Sequence, residues 1–112
     1  MAEESRTIAY ICPHCRQSVI VQRTVFQLAA APLEIPCPCG KSALRTELMG
    51  PRTRFEVPCV ACGRTHAVEC DTHDVLHRRA LAFSCSATGL DCCYVGEEQA
   101  VYAAVRRLEG AV

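Results

Sequence analysis

Cys12-Pro13-His14-Cys15 and, further on, Cys37-Pro38-Cys39-Gly40 are the stretches whose reading decides how this chain folds. The same layout begins again at Cys59-Val60-Ala61-Cys62-Gly63, followed by Cys85 and the neighbours Cys92-Cys93. A CxxC turn sets two sulfurs on one side of an ion, and a distant second turn closes the other side. That is what a tetrahedral metal ion requires of a protein. The spacing therefore predicts two metal-held units in tandem.

Ten cysteines in 112 residues admit a second chemistry, disulfides, and the rest of the sequence weighs against it. Met1-Ala2-Glu3-Glu4-Ser5-Arg6 carries acid where a secretory signal carries base, and no apolar segment follows. The longest apolar run, residues 25–33, is interrupted by Gln27 and Pro32 and is too short to cross a bilayer. The expected location is the cytoplasm, where reduced thiols bind metal. Units of this size also lie near the limit at which an apolar core suffices alone, so staples are expected.

Laying Cys12 on Cys59 aligns Val21 with Val68. After one inserted residue it also aligns Leu28 with Leu76, Leu33 with Leu81, Ile35 with Phe83 and Cys37 with Cys85. Agreement at ligands and apolar positions together reads as an internal repeat. Each unit reads as strand, metal turn, strand, short helix, strand, second turn, strand. Residues 8–11 and 54–57 lead into the first turns, and 19–21 and 67–68 lead out of them. Thr24 caps a helix over 25–30, and Thr72 or Asp71 caps one over 73–79. Pro32 stops the first helix, residues 42–48 form a return strand, and Gly50-Pro51 punctuates the units. The two units are expected to share a sheet or to stack back to back.

From Gly96 the pattern turns helical, with Val101, Ala104, Val105 and Leu108 on one face. The expected organisation is unit one at 1–50, unit two at 51–96, and a helix at 97–112 covering the sheet. The fold class is small, metal-stabilised and mainly β (α+β).

Cys12, Cys15, Cys37 and Cys39 form the first expected ligand set, with Gly40 permitting the positive φ of a sulfur-binding turn. Cys59, Cys62 and Cys85 begin the second, where residues 86–91 read as an insertion that replaces the compact second turn. The fourth member of this set is Cys92 by preference, with Cys93 and His66 as rivals; neighbours in a strand face opposite sides, so only one of the cysteine pair is expected to reach the ion. His66 otherwise reads as a strand histidine bonded to backbone. His73 and His77 share a helical face and offer an accessory metal pair.

The CxxC…CxC(G) and CxxCG…C layouts resemble zinc ribbons, over most of residues 7–95 in two copies. The resemblance implies two zinc ions on Cys12, Cys15, Cys37, Cys39, Cys59, Cys62, Cys85 and one of Cys92 and Cys93. It implies no single function, since ribbons serve as nucleic-acid readers, protein adaptors and structural inserts.

Twelve basic and twelve acidic residues cancel, which argues against a general nucleic-acid binder, because phosphate neutralisation supplies much of that affinity. Trp is absent, and three Tyr and three Phe make stacking platforms scarce. Arg45, Arg52, Arg54 and Arg64 gather near the junction and, with Arg78 and Arg79 on the short helix, are the candidate edge for nucleic acid or a ribosome. No HxE or HExxH arrangement occurs, so no enzyme is expected. Iron in place of zinc would make a rubredoxin-like electron carrier. The reading favoured is a zinc-binding adaptor with a protein partner.

Overall fold

The computed structural model describes residues 4–111; Met1, Ala2, Glu3 and Val112, with the acidic start noted above, lie outside the described residues. The chain runs β1 (Ser5–Ile11), β2 (Ser18–Thr24), α1 (Val25–Ala30), β3 (Leu33–Pro36), β4 (Ala43–Met49), β5 (Arg52–Pro58), β6 (Thr65–Asp71), α2 (Thr72–His77), β7 (Ala80–Ser84), β8 (Asp91–Gly96) and α3 (Glu98–Ala111). Both halves thus follow one order, ββαββ, and α3 has no counterpart.

The strands form two antiparallel four-stranded sheets, ordered β2-β1-β8-β7 and β3-β4-β5-β6. Each half contributes one hairpin to each sheet. The cause lies in the connections. Gly50 and Pro51 form a two-residue loop, and Gly50 at φ 64° supplies the left-handed first position such a hairpin turn requires. The loop forces β4 onto β5, across the boundary between halves. The short helices do the opposite: α1 carries the chain from the first sheet to the second, and α2 carries it back.

Registers repeat as well. Ile8 faces Val21 in the β1–β2 ladder and Phe55 faces Val68 in the β5–β6 ladder, 47 residues on at both positions. Tyr94 faces Ala9 across β8–β1, and Arg45 faces Glu56 across β4–β5. The two sheets are therefore related by a pseudo-twofold in which Ala9 corresponds to Glu56 and Tyr94 to Arg45.

Between the sheets lies the main core, which includes Ile8, Tyr10, Leu28, Ile35, Leu44, Phe55, Val57, Val75, Phe83 and Val95. The rings of Phe55 and Phe83 meet at 5.0 Å across it, and the Tyr10 hydroxyl donates to the Ile35 carbonyl at 2.9 Å. Outside the first sheet, α3 lays Val101, Ala104, Val105 and Leu108 on Ala9, Ile11 and Tyr94. No helix among the described residues is long and apolar enough to cross a membrane.

Helix α1 carries a capping box, with the Thr24 hydroxyl accepting from the Gln27 amide and the Gln27 side chain returning to the Thr24 amide. Helix α2 stops at His77, two residues short of the expected end at Arg79. Arg78 is extended (φ −68°, ψ 142°), and Arg6 on β1 accounts for the stop. Its buried guanidinium donates from Nε to the Val75 carbonyl at 2.9 Å, which the Arg79 amide would bond in the longer helix, and from an Nη to the Arg78 carbonyl.

Candidate metal centres

Four turns carry the candidate ligands, and they share one construction. The amide of the leading cysteine donates to the carbonyl five residues on: Cys12 to Gln17, Cys37 to Ser42, Cys59 to Arg64, Cys85 to Leu90. A return bond to the cysteine carbonyl comes from Arg16, Gly40, Gly63 and Gly89. These four residues all have positive φ, between 61° and 77°. Three are glycine, which has no Cβ to clash there; Arg16 holds the same conformation with a side chain.

The last of these turns corrects one expectation. Residues 86–91 are not a long insertion replacing a metal turn. Cys85-Ser86-Ala87-Thr88-Gly89 matches Cys59-Val60-Ala61-Cys62-Gly63 bond for bond, with Thr88 where the second cysteine would stand. The CxxTG string was visible in the sequence, but the missing sulfur concealed it.

Two groups result that could hold metal ions. In the first, the donor atoms of Cys12, Cys15, Cys37 and Cys39 all lie within 4.8 Å of one another. The Sγ atoms of Cys12 and Cys39 are 3.7 Å apart and those of Cys15 and Cys37 3.5 Å. Zinc–sulfur bonds of about 2.3 Å in a tetrahedron place sulfurs about 3.8 Å apart, so the donor set fits an ion of that size. All ten cysteines are free thiols.

The second group is Cys59, Cys62, His66 and Cys85, again within 4.8 Å. Nε2 of His66 on β6 lies 3.3 Å from Sγ of Cys62, close to the separation of about 3.6 Å expected for nitrogen and sulfur on one zinc. Cys92, expected in fourth place, falls outside the group. Its Sγ donates to the Phe83 carbonyl at 3.3 Å. The ladder explains why: Phe83 faces Cys93 while Ser84 faces Asp91, so Cys92 is the unpaired residue of a β-bulge. Cys93 faces inward and is fully buried. His73 and His77 do share a face, their rings 4.6 Å apart, but they belong to no group of three ligands among the described residues.

Electrostatics separates the thiols within each group. Burial opposes the Cys12 thiolate, but the Cys15 amide, the Ser42 hydroxyl (3.0 Å) and the His14 amide outweigh it and bring its pKa down to about 6. At Cys37 the Cys39 amide favours ionisation, yet burial and three crowding sulfurs push the thiol up to about 12. Cys85 is brought down to about 6, chiefly by the Thr88 hydroxyl, against burial. Cys59 is raised by burial. One thiolate per group forms readily and repels the next, a conflict that a divalent cation relieves. Burial also pushes Cys92 up to about 12, and Cys93 higher than its usual value.

Both groups sit at one end of the molecule, because the β1–β2 and β7–β8 turns lie together at the end of one sheet and the β3–β4 and β5–β6 turns at the end of the other. Each group draws its residues from both sheets, so an ion held there would clamp the sheets together. Compared with known family models, curated proteins and solved structures, the chain gives no significant match to any of them.

Proposed function

We propose that this is a duplicated zinc-ribbon protein with two structural zinc ions, acting as a non-enzymatic adaptor for a protein partner in a reducing compartment. The observation that carries it is the first group: four thiols with sulfur separations of 3.5 and 3.7 Å bridging two sheets. Four donors complete a tetrahedral ion and leave no position for a substrate, which is the hallmark of a structural centre. His66 supplies the fourth donor of the second ion, in the place Thr88 vacates. The common order, turns and registers of the halves support descent from one duplicated unit.

Among the described residues, three of the four junction arginines are paired with carboxylates, and Arg64 is not. Arg45 pairs with Glu34 at 3.5 Å, Arg52 with Asp71 at 2.8 Å and Arg54 with Glu56 at 3.3 Å. A phosphate backbone would have to displace these carboxylates, which favours a protein partner over nucleic acid.

Native mass spectrometry of reduced protein tests this reading, with two zinc ions per chain expected. A strong chelator should then abolish the cooperative thermal transition, because bound zinc contributes on the order of 10 kcal/mol to folding. A metal-free chain that melts cooperatively in chelator overturns the proposal, and bound iron with a visible charge-transfer band turns it toward electron transfer.

A further inference from the structure

The pseudo-twofold makes α3 informative about a place it does not occupy. On the first sheet, α3 sits on Ala9, Ile11 and Tyr94, with Val60 of the β5–β6 turn packed beside them, and Glu109 accepts a hydrogen bond from Ser18 Oγ at 2.7 Å. The registers and the 47-residue offset send Ala9, Ile11, Tyr94 and Ser18 to Glu56, Pro58, Arg45 and Thr65 on the second sheet, and Val60 to Pro13 in the β1–β2 turn. All five line one open groove of about 330 Å³. The mate of the helix seat is present, and no helix of the described residues lies in it.

Its chemistry has changed from apolar to polar and basic. Lys41 and Arg64, from turns of different metal centres, stand on its rim with His14. Neither Lys41 nor Arg64 makes an ion pair among the described residues. Thr65 holds the position from which Ser18 donates to the Glu109 carboxylate. Within the groove only Glu56 is acidic, and no Phe, Tyr or Trp lines it to stack on a base.

The geometry points to this groove as the docking site for an acidic, helical segment of a protein partner, seated as α3 is seated on the opposite sheet, with its carboxylates met by Lys41, Arg64 and Thr65. This assignment rests on the adaptor reading and names the surface that reading lacks. Both metal centres frame the groove, so metal binding holds Lys41 and Arg64 at their spacing.

Fluorescence anisotropy of the metal-loaded full chain with a dye-labelled peptide of alternating Glu and Ala tests it. We expect saturable binding that the double variant Lys41→Glu/Arg64→Glu weakens by about tenfold or more, while Arg52→Glu, on the same sheet outside the groove, leaves it unchanged. Should the double reversal fail to fold, Lys41→Gln/Arg64→Gln is the substitute, with a smaller loss expected. Absence of binding, binding indifferent to the groove variants, or tighter binding of an oligothymidylate of equal charge overturns the assignment. Metal counting by native mass spectrometry separates the two readings. Two ions without peptide binding sinks the groove alone, and peptide binding through Lys41 and Arg64 without metal sinks the metal reading alone.

Discussion

Nε2 of His66 lies 3.3 Å from Sγ of Cys62, and this contact, made four residues apart along the chain, joins the β5–β6 cysteine turn to the strand leaving it. His66→Ala should reduce the metal count from two to one per chain, or weaken the second ion by at least about tenfold. Cys92→Ala should keep both ions, because that thiol is bonded to the Phe83 carbonyl. Native mass spectrometry of the two variants decides between the ligands. Thr88→Cys should restore binding to His66→Ala, by returning a sulfur to the turn that lacks one.

Arg6 ties β1 to the end of α2 through the Val75 and Arg78 carbonyls. Arg6→Met keeps much of the side-chain volume but leaves the buried Val75 carbonyl without a donor, at a cost of about 2 kcal/mol. Denaturant unfolding should register the loss. Amide exchange should accelerate first in α2.

Arg16 occupies the position that glycine holds in the other three cysteine turns, at φ 61°. A left-handed residue with a Cβ costs about 1 kcal/mol or more, partly offset by the greater unfolded-state freedom of glycine. Arg16→Gly should therefore raise stability by up to about 1 kcal/mol with both metals retained, measured as a higher midpoint of thermal unfolding.

Thr46 Oγ1 is buried with no hydrogen-bond partner among the described residues, and its mate across the pseudo-twofold is Val95. Thr46→Val removes an unsatisfied hydroxyl at nearly constant volume and should stabilise the fold by about 1 kcal/mol. An unchanged or lowered unfolding midpoint would show that the hydroxyl has a partner in solution.

Burial beneath α3, together with a 2.9 Å hydrogen bond to Asp91, raises the Tyr94 phenol above its usual value. A folded-state pKa above the unfolded value, near 10, contributes stability that is complete below that value and is lost as pH rises toward the folded one. The chain should weaken above about pH 10, and Tyr94→Phe should show a shallower alkaline decline. Melting curves across that range, followed with tyrosinate absorbance, provide the check.

Legibility divides along the range of the interactions. Thr24, Pro32 and the stripe Val101, Ala104, Val105 and Leu108 act within a turn or two of chain, and each could be read from spacing. The four stripe residues are the four buried residues of α3. The first ligand group was equally legible, since CPHC and CPCG each announce a turn. The end of α2 at His77 was not, because it depends on Arg6, a residue of the opposite half. Nor was Cys92 legible: alternation along an ideal strand assigns it a face, and a bulge removes it from the alternation.

What the order of residues determined alone was local: which segments become strands, helices and sulfur-bearing turns, since these follow from short-range sterics and apolar periodicity. Only the tertiary structure decided that the halves exchange hairpins, that each centre spans both sheets, and that His66 meets three thiols. Those outcomes depend on which of several compatible strand edges pair across the core, and a two-residue loop at Gly50-Pro51 settles that choice only once its hairpin has somewhere to pack.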